Sequence, residues 1–128
     1  MSGSGQDVLY ICRTCPRYEP APPPGEPKRG EMLAAEIKRL VRDWPRRDDL
    51  LVLVVNCLSG CPKPCNVALD APDKTRLRFG QLDAGYAPAV LEAAGRYLDS
   101  ADGNLPDDAL PDPLKDRVTA RAPASLRR

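Results

Sequence analysis

Leu50-Leu51-Val52-Leu53-Val54-Val55 is the longest apolar run in the chain, and it leads almost at once into Cys57-Leu58-Ser59-Gly60-Cys61-Pro62-Lys63-Pro64-Cys65. A run without polar alternation predicts a strand buried on both faces, as in a parallel sheet. The remaining cysteines, Cys12 and Cys15, also follow a short apolar run, Val8-Leu9-Tyr10-Ile11. Two predicted strands therefore each end by delivering thiols into a loop. Parallel strands bring their C-terminal ends to one edge of a sheet, so the two groups are expected to meet there in a thiol-lined site.

The composition narrows what such a site can be. A chain of 128 residues is one domain and buries roughly two thirds of its unfolded surface, so it needs neither metal nor disulfides merely to fold. There is no histidine. That excludes Cys2His2 zinc, Rieske-type ligation, His-ligated haem or copper, and any Cys-His or Ser-His catalytic pair. Five cysteines are odd in number, so they cannot all pair within one chain. Without an export signal they point to metal or redox use rather than a disulfide framework. Charge is balanced, 19 Lys+Arg against 18 Asp+Glu, which indicates neither a nucleic-acid nor a membrane partner. No apolar run approaches the roughly 20 residues of a membrane span, and the first residues lack a basic segment followed by an apolar one. The expectation is a soluble, cytoplasmic protein. No phosphate-binding loop, dinucleotide fingerprint or nucleophile elbow is present, so an enzyme is not expected.

Taken in order, residues 1–6 are a small, polar start expected to be disordered, and Asp7 to Cys12 reads as a short strand. Residues 16–27 carry six prolines and can be neither helix nor central strand; a surface loop is expected, conceivable as a lid over the thiols. Gly30-Glu31 opens a helix whose Leu33, Ile37, Leu40, Val41 and Trp44 share one face, and Pro45 stops it. Leu50 to Val55 then completes a βαβ unit. Asn66 to Asp70 reads as a third strand, Ala71 to Lys74 as a turn and Thr75 to Phe79 as a half-solvated strand ended by Gly80. A second helix starts near Pro88, with Ala87, Val90, Leu91, Ala94 and Leu98 on one face and Asp102-Gly103-Asn104 beyond its end. The order β-α-β-β-β-α predicts an α/β domain over 7–104, followed by an irregular Pro-, Asp- and Arg-rich tail over 105–128.

Thiolates suit zinc, Cu(I) and the iron of iron–sulfur clusters, and a 2Fe–2S cluster needs four. The spacing is C-x2-C, 41 residues, then C-x3-C-x3-C. Structural zinc sites use two knuckles on short hairpins; here a helix separates the two groups, which fits zinc less well and leaves it open as an alternative. A thiol–disulfide protein using Cys12-Arg13-Thr14-Cys15 is the third class. In that class the motif opens a helix whose dipole lowers the first thiol's pKa, whereas here it runs into the proline-rich segment.

A strand ending in cysteine, a helix, and a second strand ending in Cys57-Leu58-Ser59-Gly60-Cys61, followed by Val67-Ala68-Leu69 and Arg78-Phe79-Gly80, resemble the thioredoxin-like 2Fe–2S ferredoxins. The pattern from the first C-x2-C through Cys-Leu-Ser-Gly-Cys-Pro-Lys-Pro-Cys to the Asp-Gly after the second helix is also similar to a bacterial family of predicted metal-binding proteins, over roughly residues 7 to 123. The resemblance implies a single thioredoxin-like, ferredoxin-type domain with a mixed sheet, a 2Fe–2S cluster (zinc being the alternative) and one-electron transfer to a redox partner protein, with a link to cobalamin metabolism. It implies Cys12, Cys57 and Cys61 as ligands. Cys15 is the fourth, with Cys65 in reserve, because Cys15 follows Cys12 sooner than its counterpart does in those ferredoxins. Arg13, Arg17 and Lys63 flank the thiols and would form a basic collar toward an acidic docking face, with the acidic segment 99–116 elsewhere. A homodimer is compatible with all of this.

Overall fold

The computed structural model describes residues 7–12, 29–55 and 66–122. Its elements are β1 (Asp7–Cys12), α1 (Arg29–Val41), β2 (Leu50–Val55), β3 (Val67–Asp70), β4 (Arg76–Phe79), α2 (Ala87–Asp99) and β5 (Val118–Ala122). The strands form one sheet in the order β2-β1-β3-β4-β5. β1 and β2 run parallel, and every other pairing is antiparallel. The expected α/β class, mixed sheet and two helices hold.

Side chains alternate across a strand, and the register sorts them into two unlike faces. Leu9, Leu69 and Leu77 lie in one row across the sheet, Ile11, Val67 and Phe79 in the next. All six are sealed from solvent. The helices supply the other half of this core: Leu33 and Ile37 from α1, and Val90, Leu91, Ala94 and Tyr97 from α2, which packs beside α1. The expected helix faces are thus the buried ones, with Leu40, Val41, Trp44 and Leu98 at the core's margin. On the opposite face Tyr10 lies between Leu53 and Ala68 in the register. Arg76 sits over its ring, 5.5 Å from the centroid, and pairs with Asp70 at 3.3 Å.

Two expectations are corrected. β2 was expected to be buried on both faces, yet it is the edge strand. Only Leu50 is buried, while Leu51 and Leu53 are 44% and 38% exposed. Absence of polar alternation reports that both side-chain rows are apolar, not that both are covered.

The second correction concerns the chain beyond Leu105, which was expected to be an irregular tail. Up to Ala122 it belongs to the fold. Two short 3-10 turns at Asp107–Ala109 and Asp112–Leu114 lead into β5, which pairs with β4. Leu105, Leu110 and Leu114 are buried in the common core. Arg121 binds the segment back to itself, donating to Asn104 Oδ1 and Asp107 Oδ1 at 3.0 Å each and to the Leu105 carbonyl. Helical periodicity misses such a segment because 3-10 turns of three residues present one apolar side chain at a time. Residues 1–6, 13–28, 56–65 and 123–128, and the expectations that fall on them, lie outside the described residues.

A polar clasp closes the sheet end opposite the cysteines. Lys74, in the turn from β3 to β4, places Nζ 2.7 Å from Asp7 Oδ2 and 2.9 Å from the Tyr97 carbonyl, with its ammonium 4.9 Å from the Tyr97 ring centre. The Tyr97 hydroxyl donates to the Thr75 carbonyl at 2.7 Å. Gly103 closes over this cluster in the left-handed region, at φ +70°, where an added Cβ would stand 2.7 Å from Tyr97 Cε1 and 2.8 Å from Lys74 Cβ. The turn from α1 to β2 is tied to α2 by Arg46, which donates to Asp99 Oδ1 at 2.6 Å; that carboxylate holds the Arg46 pKa above its ordinary value.

Leu114→Ala should lower unfolding free energy by about 2–5 kcal/mol, the usual cost of emptying a buried leucine site; an unchanged denaturation midpoint would mean that the segment is a surface appendage after all. Gly103→Ala should cost at least ~1–2 kcal/mol from left-handed strain alone, with the steric contacts adding to it. Thermal melts of the two variants beside the parent measure both.

Candidate metal centre

The parallel pairing of β1 with β2 sets Cys12 opposite Val55, so the last residues of the two strands are neighbours. Antiparallel pairing on the other side sets Ile11 opposite Val67, and the Cys12 amide donates to the Asn66 carbonyl at 3.0 Å. Three chain ends therefore meet at one edge of the sheet: the ends of β1 and β2 and the start of β3. Cys12 is itself one of these ends. Cys15 comes three residues after it, Cys57 two residues after Val55, and Cys65 immediately before Asn66, with Cys61 midway through the β2–β3 connection. Fold topology thus gathers the chain on which every cysteine is carried.

Cys12 is the cysteine the structure describes, and it is 1% exposed. Asn66 beside it is fully buried. Cys15, Cys57, Cys61 and the reserve Cys65 lie outside the described residues, as do Arg13, Arg17 and Lys63. Among the described residues no three His, Cys, Asp or Glu side chains come together as a metal site, so any such centre has to be completed by the connections themselves.

Other described groups line the same edge. The first turn of α1 comes against the end of β2, where Glu31, Ala34 and Val54 border one shallow pocket. That orientation aims the helix N-terminus, the positive end of its dipole, toward the same edge. β4 ends here as well, since Phe79 is opposite Val67. Gly80 then donates its amide to the Arg117 carbonyl at 2.9 Å, and Gln81 turns the chain with φ 59°. Arg117 donates to the Tyr86 hydroxyl at 2.9 Å and pairs with Asp116 at 3.1 Å.

Sequence reasoning placed Cys12 at the end of β1 and the Arg78-Phe79-Gly80 strand end, but did not find Asn66, Tyr86 or Arg117. The signal for Asn66 was its place directly after the last cysteine. Arg117 carried none, because its segment was read as tail. The acidic stretch 99–116 divides. Asp102 and Asp107 lie at the clasp end, through the Thr75–Asp102 and Arg121–Asp107 bonds, whereas Asp116 returns beside Arg117 near Gly80. The Glu36–Arg39 pair on α1, whose hydrogen bond holds the Glu36 carboxyl below its ordinary pKa, is solvent-exposed and makes no contact with this edge.

Comparison with known proteins fits the topology. The model of a family described as a protein of unknown function, DUF1636, matches residues 9–124. No curated protein matches the chain. Among solved structures, a thioredoxin-like [2Fe-2S] ferredoxin from Aquifex aeolicus superposes with a TM-score of 0.57, covering 91% of this chain and 92% of its own at 15% identity. Likeness at that identity is one of fold, and it makes this a thioredoxin-like domain. No described helix is long and apolar enough to cross a membrane.

Proposed function

This chain belongs to the DUF1636 family, and we propose that it is an iron–sulfur protein binding a 2Fe–2S cluster and passing single electrons to a partner enzyme. The observation that carries the reading is the meeting at one sheet edge of the three strand ends next to which the sequence carries its cysteines, in a chain with five thiols and no histidine. Support comes from the solved structure of the same fold, a thioredoxin-like [2Fe-2S] ferredoxin.

The donor set fits the group. Four thiolates are what such a cluster requires, and Cys12, Cys15, Cys57 and Cys61 would hold it, with Cys65 in reserve. When bound, the cluster supplies reversible one-electron chemistry. The protein's own contribution is to keep thiolates together and limit water. Cys12 is held by a strand paired on both sides, and its burial excludes solvent from one flank. Zinc in the same thiolates would give a module without redox activity, and the reading is built to be told apart from it.

Anaerobically purified protein should be red-brown and carry about two irons and two sulfides per chain. Cys57→Ser and Cys61→Ser should each abolish cluster retention, and Cys65→Ser should leave most of it. A colourless protein with one zinc per chain would overturn electron transfer. Loss of the cluster in Cys65→Ser with retention in Cys15→Ser would reverse the fourth-ligand assignment.

Docking is assigned to the cysteine edge, where an electron has the shortest way out. Arg13, Arg17 and Lys63 belong to the connections leaving that edge and favour an acidic partner, while Asp116 opposes them. Steering by such charges acts on association rate and is screened beyond about 8–10 Å at physiological salt. Arg17→Glu combined with Lys63→Glu should therefore slow reduction of an acidic acceptor protein at low salt and leave the visible spectrum unchanged. Stopped-flow rates indifferent to both salt and charge reversal would place docking on another surface.

A further inference from the structure

Among the described residues Asn66 and Thr75 are the buried polar side chains, and Asn66 alone is sealed completely, at 0% exposed. Enclosing a carboxamide away from water costs free energy unless its polar atoms are given partners. The sheet register says which group lies beside it. β1 and β3 pair antiparallel with Ile11 opposite Val67. The next pair outward is Cys12 with Asn66, joined by the Cys12 amide donating to the Asn66 carbonyl at 3.0 Å.

Residues alternate across a strand. Leu9 and Ile11 of β1, with Val67 and Leu69 of β3, belong to the rows packed under the helices. Cys12 and Asn66 therefore both project to the other face, side by side where β1 ends. Directly opposed residues of an antiparallel pair carry Cβ atoms about 4.5–5.5 Å apart, a gap that two short side chains close. Cys12 is as well enclosed as Asn66, at 1% exposed. Its opposite neighbour in the sheet, Val55 of β2, has no donor to offer.

We propose that the Asn66 side-chain amide donates an N–H to the Cys12 sulfur and thereby raises the reduction potential of the site. The inference rests on the cluster reading above and names the residue that tunes it. A carboxamide nitrogen carries two N–H donors, so one serves the sulfur while the other serves a second acceptor. A metal-bound thiolate is a charged acceptor, and hydrogen bonds to charged groups are about twice as strong as neutral ones. Negative charge on the sulfur grows when the site takes up an electron. A donor already fixed there stabilises the reduced state more than the oxidised one, which is how hydrogen bonds to sulfur raise a potential. Enclosure strengthens the effect, because the local dielectric is low and water does not compete for the sulfur.

The test is a redox titration of the purified full chain, followed by visible absorption once its iron and sulfide have been measured. Asn66→Leu keeps a branched side chain and removes both donors, whereas Asn66→Ser keeps one hydroxyl donor. At the potential where the parent is half reduced, Asn66→Leu should favour the oxidised form at least tenfold, a downward displacement of about 59 mV for one electron. Asn66→Ser should fall between the two. An unmoved midpoint in Asn66→Leu with iron retained overturns the proposal, and a lowered melting temperature beside it would make Asn66 a packing residue only.

A second measurement needs no change at position 66. The chain has three asparagines, Asn56, Asn66 and Asn104, and Asn104 lies at the clasp end, bound by Arg121. Asn56→Gln protein labelled with 15N at its asparagine side-chain amides should therefore report on Asn66. Pulsed electron paramagnetic resonance of the reduced protein should show a 15N coupling to the unpaired electron. Absence of that coupling overturns the proposal whether or not Asn66→Leu folds. Zinc in place of iron would overturn the cluster reading and this tuning with it, whereas iron and sulfide with an unmoved midpoint overturn the tuning alone.

Discussion

The rest of the structure depends on the parallel register between β1 and β2. Parallel neighbours cannot be joined by a tight turn, because the chain has to return to its starting end before the second strand begins. Here α1 makes that return, its Leu33 and Ile37 buried in the same core as Leu9 and Ile11. The consequence for chemistry is direct. Both strands finish at the same edge, and both are followed by cysteines. An antiparallel pair would have sent Cys12 and Cys57 to opposite ends of the sheet, some 20 Å apart for six-residue strands at about 3.3 Å per residue.

The two ends of the sheet divide the work. At one end Lys74, Asp7, Tyr97 and Gly103 form a closed, mutually satisfied cluster. It joins the first strand, the central hairpin and the end of α2. At the other end the chain breaks out of the sheet three times within neighbouring strands. Rigidity at the first end complements the second, where strand ends fixed by pairing define where each connection has to begin. Cys12 shows this most clearly, since it is both the last residue of a paired strand and the first cysteine.

Much of this was legible in the sequence. Element order up to α2, both helix faces and the meeting of the β1 and β2 ends at one edge follow from apolar runs and spacing, because each is a local property multiplied by one rule about parallel strands. The position of β2 was not legible. Leu50 to Val55 would look the same in the middle of a sheet or at its rim, and only the later pairing of β3 with β1 decides between them. The last strand was hidden for a related reason. Val118 to Ala122 has weak alternation of its own, and its pairing with β4 depends on Leu105, Leu110 and Leu114 first anchoring the connection. Long-range pairing is the common element, and no window of residues contains it. Of the site, the residue types were readable, but Asn66, Tyr86 and Arg117 became visible only once three distant segments shared an edge.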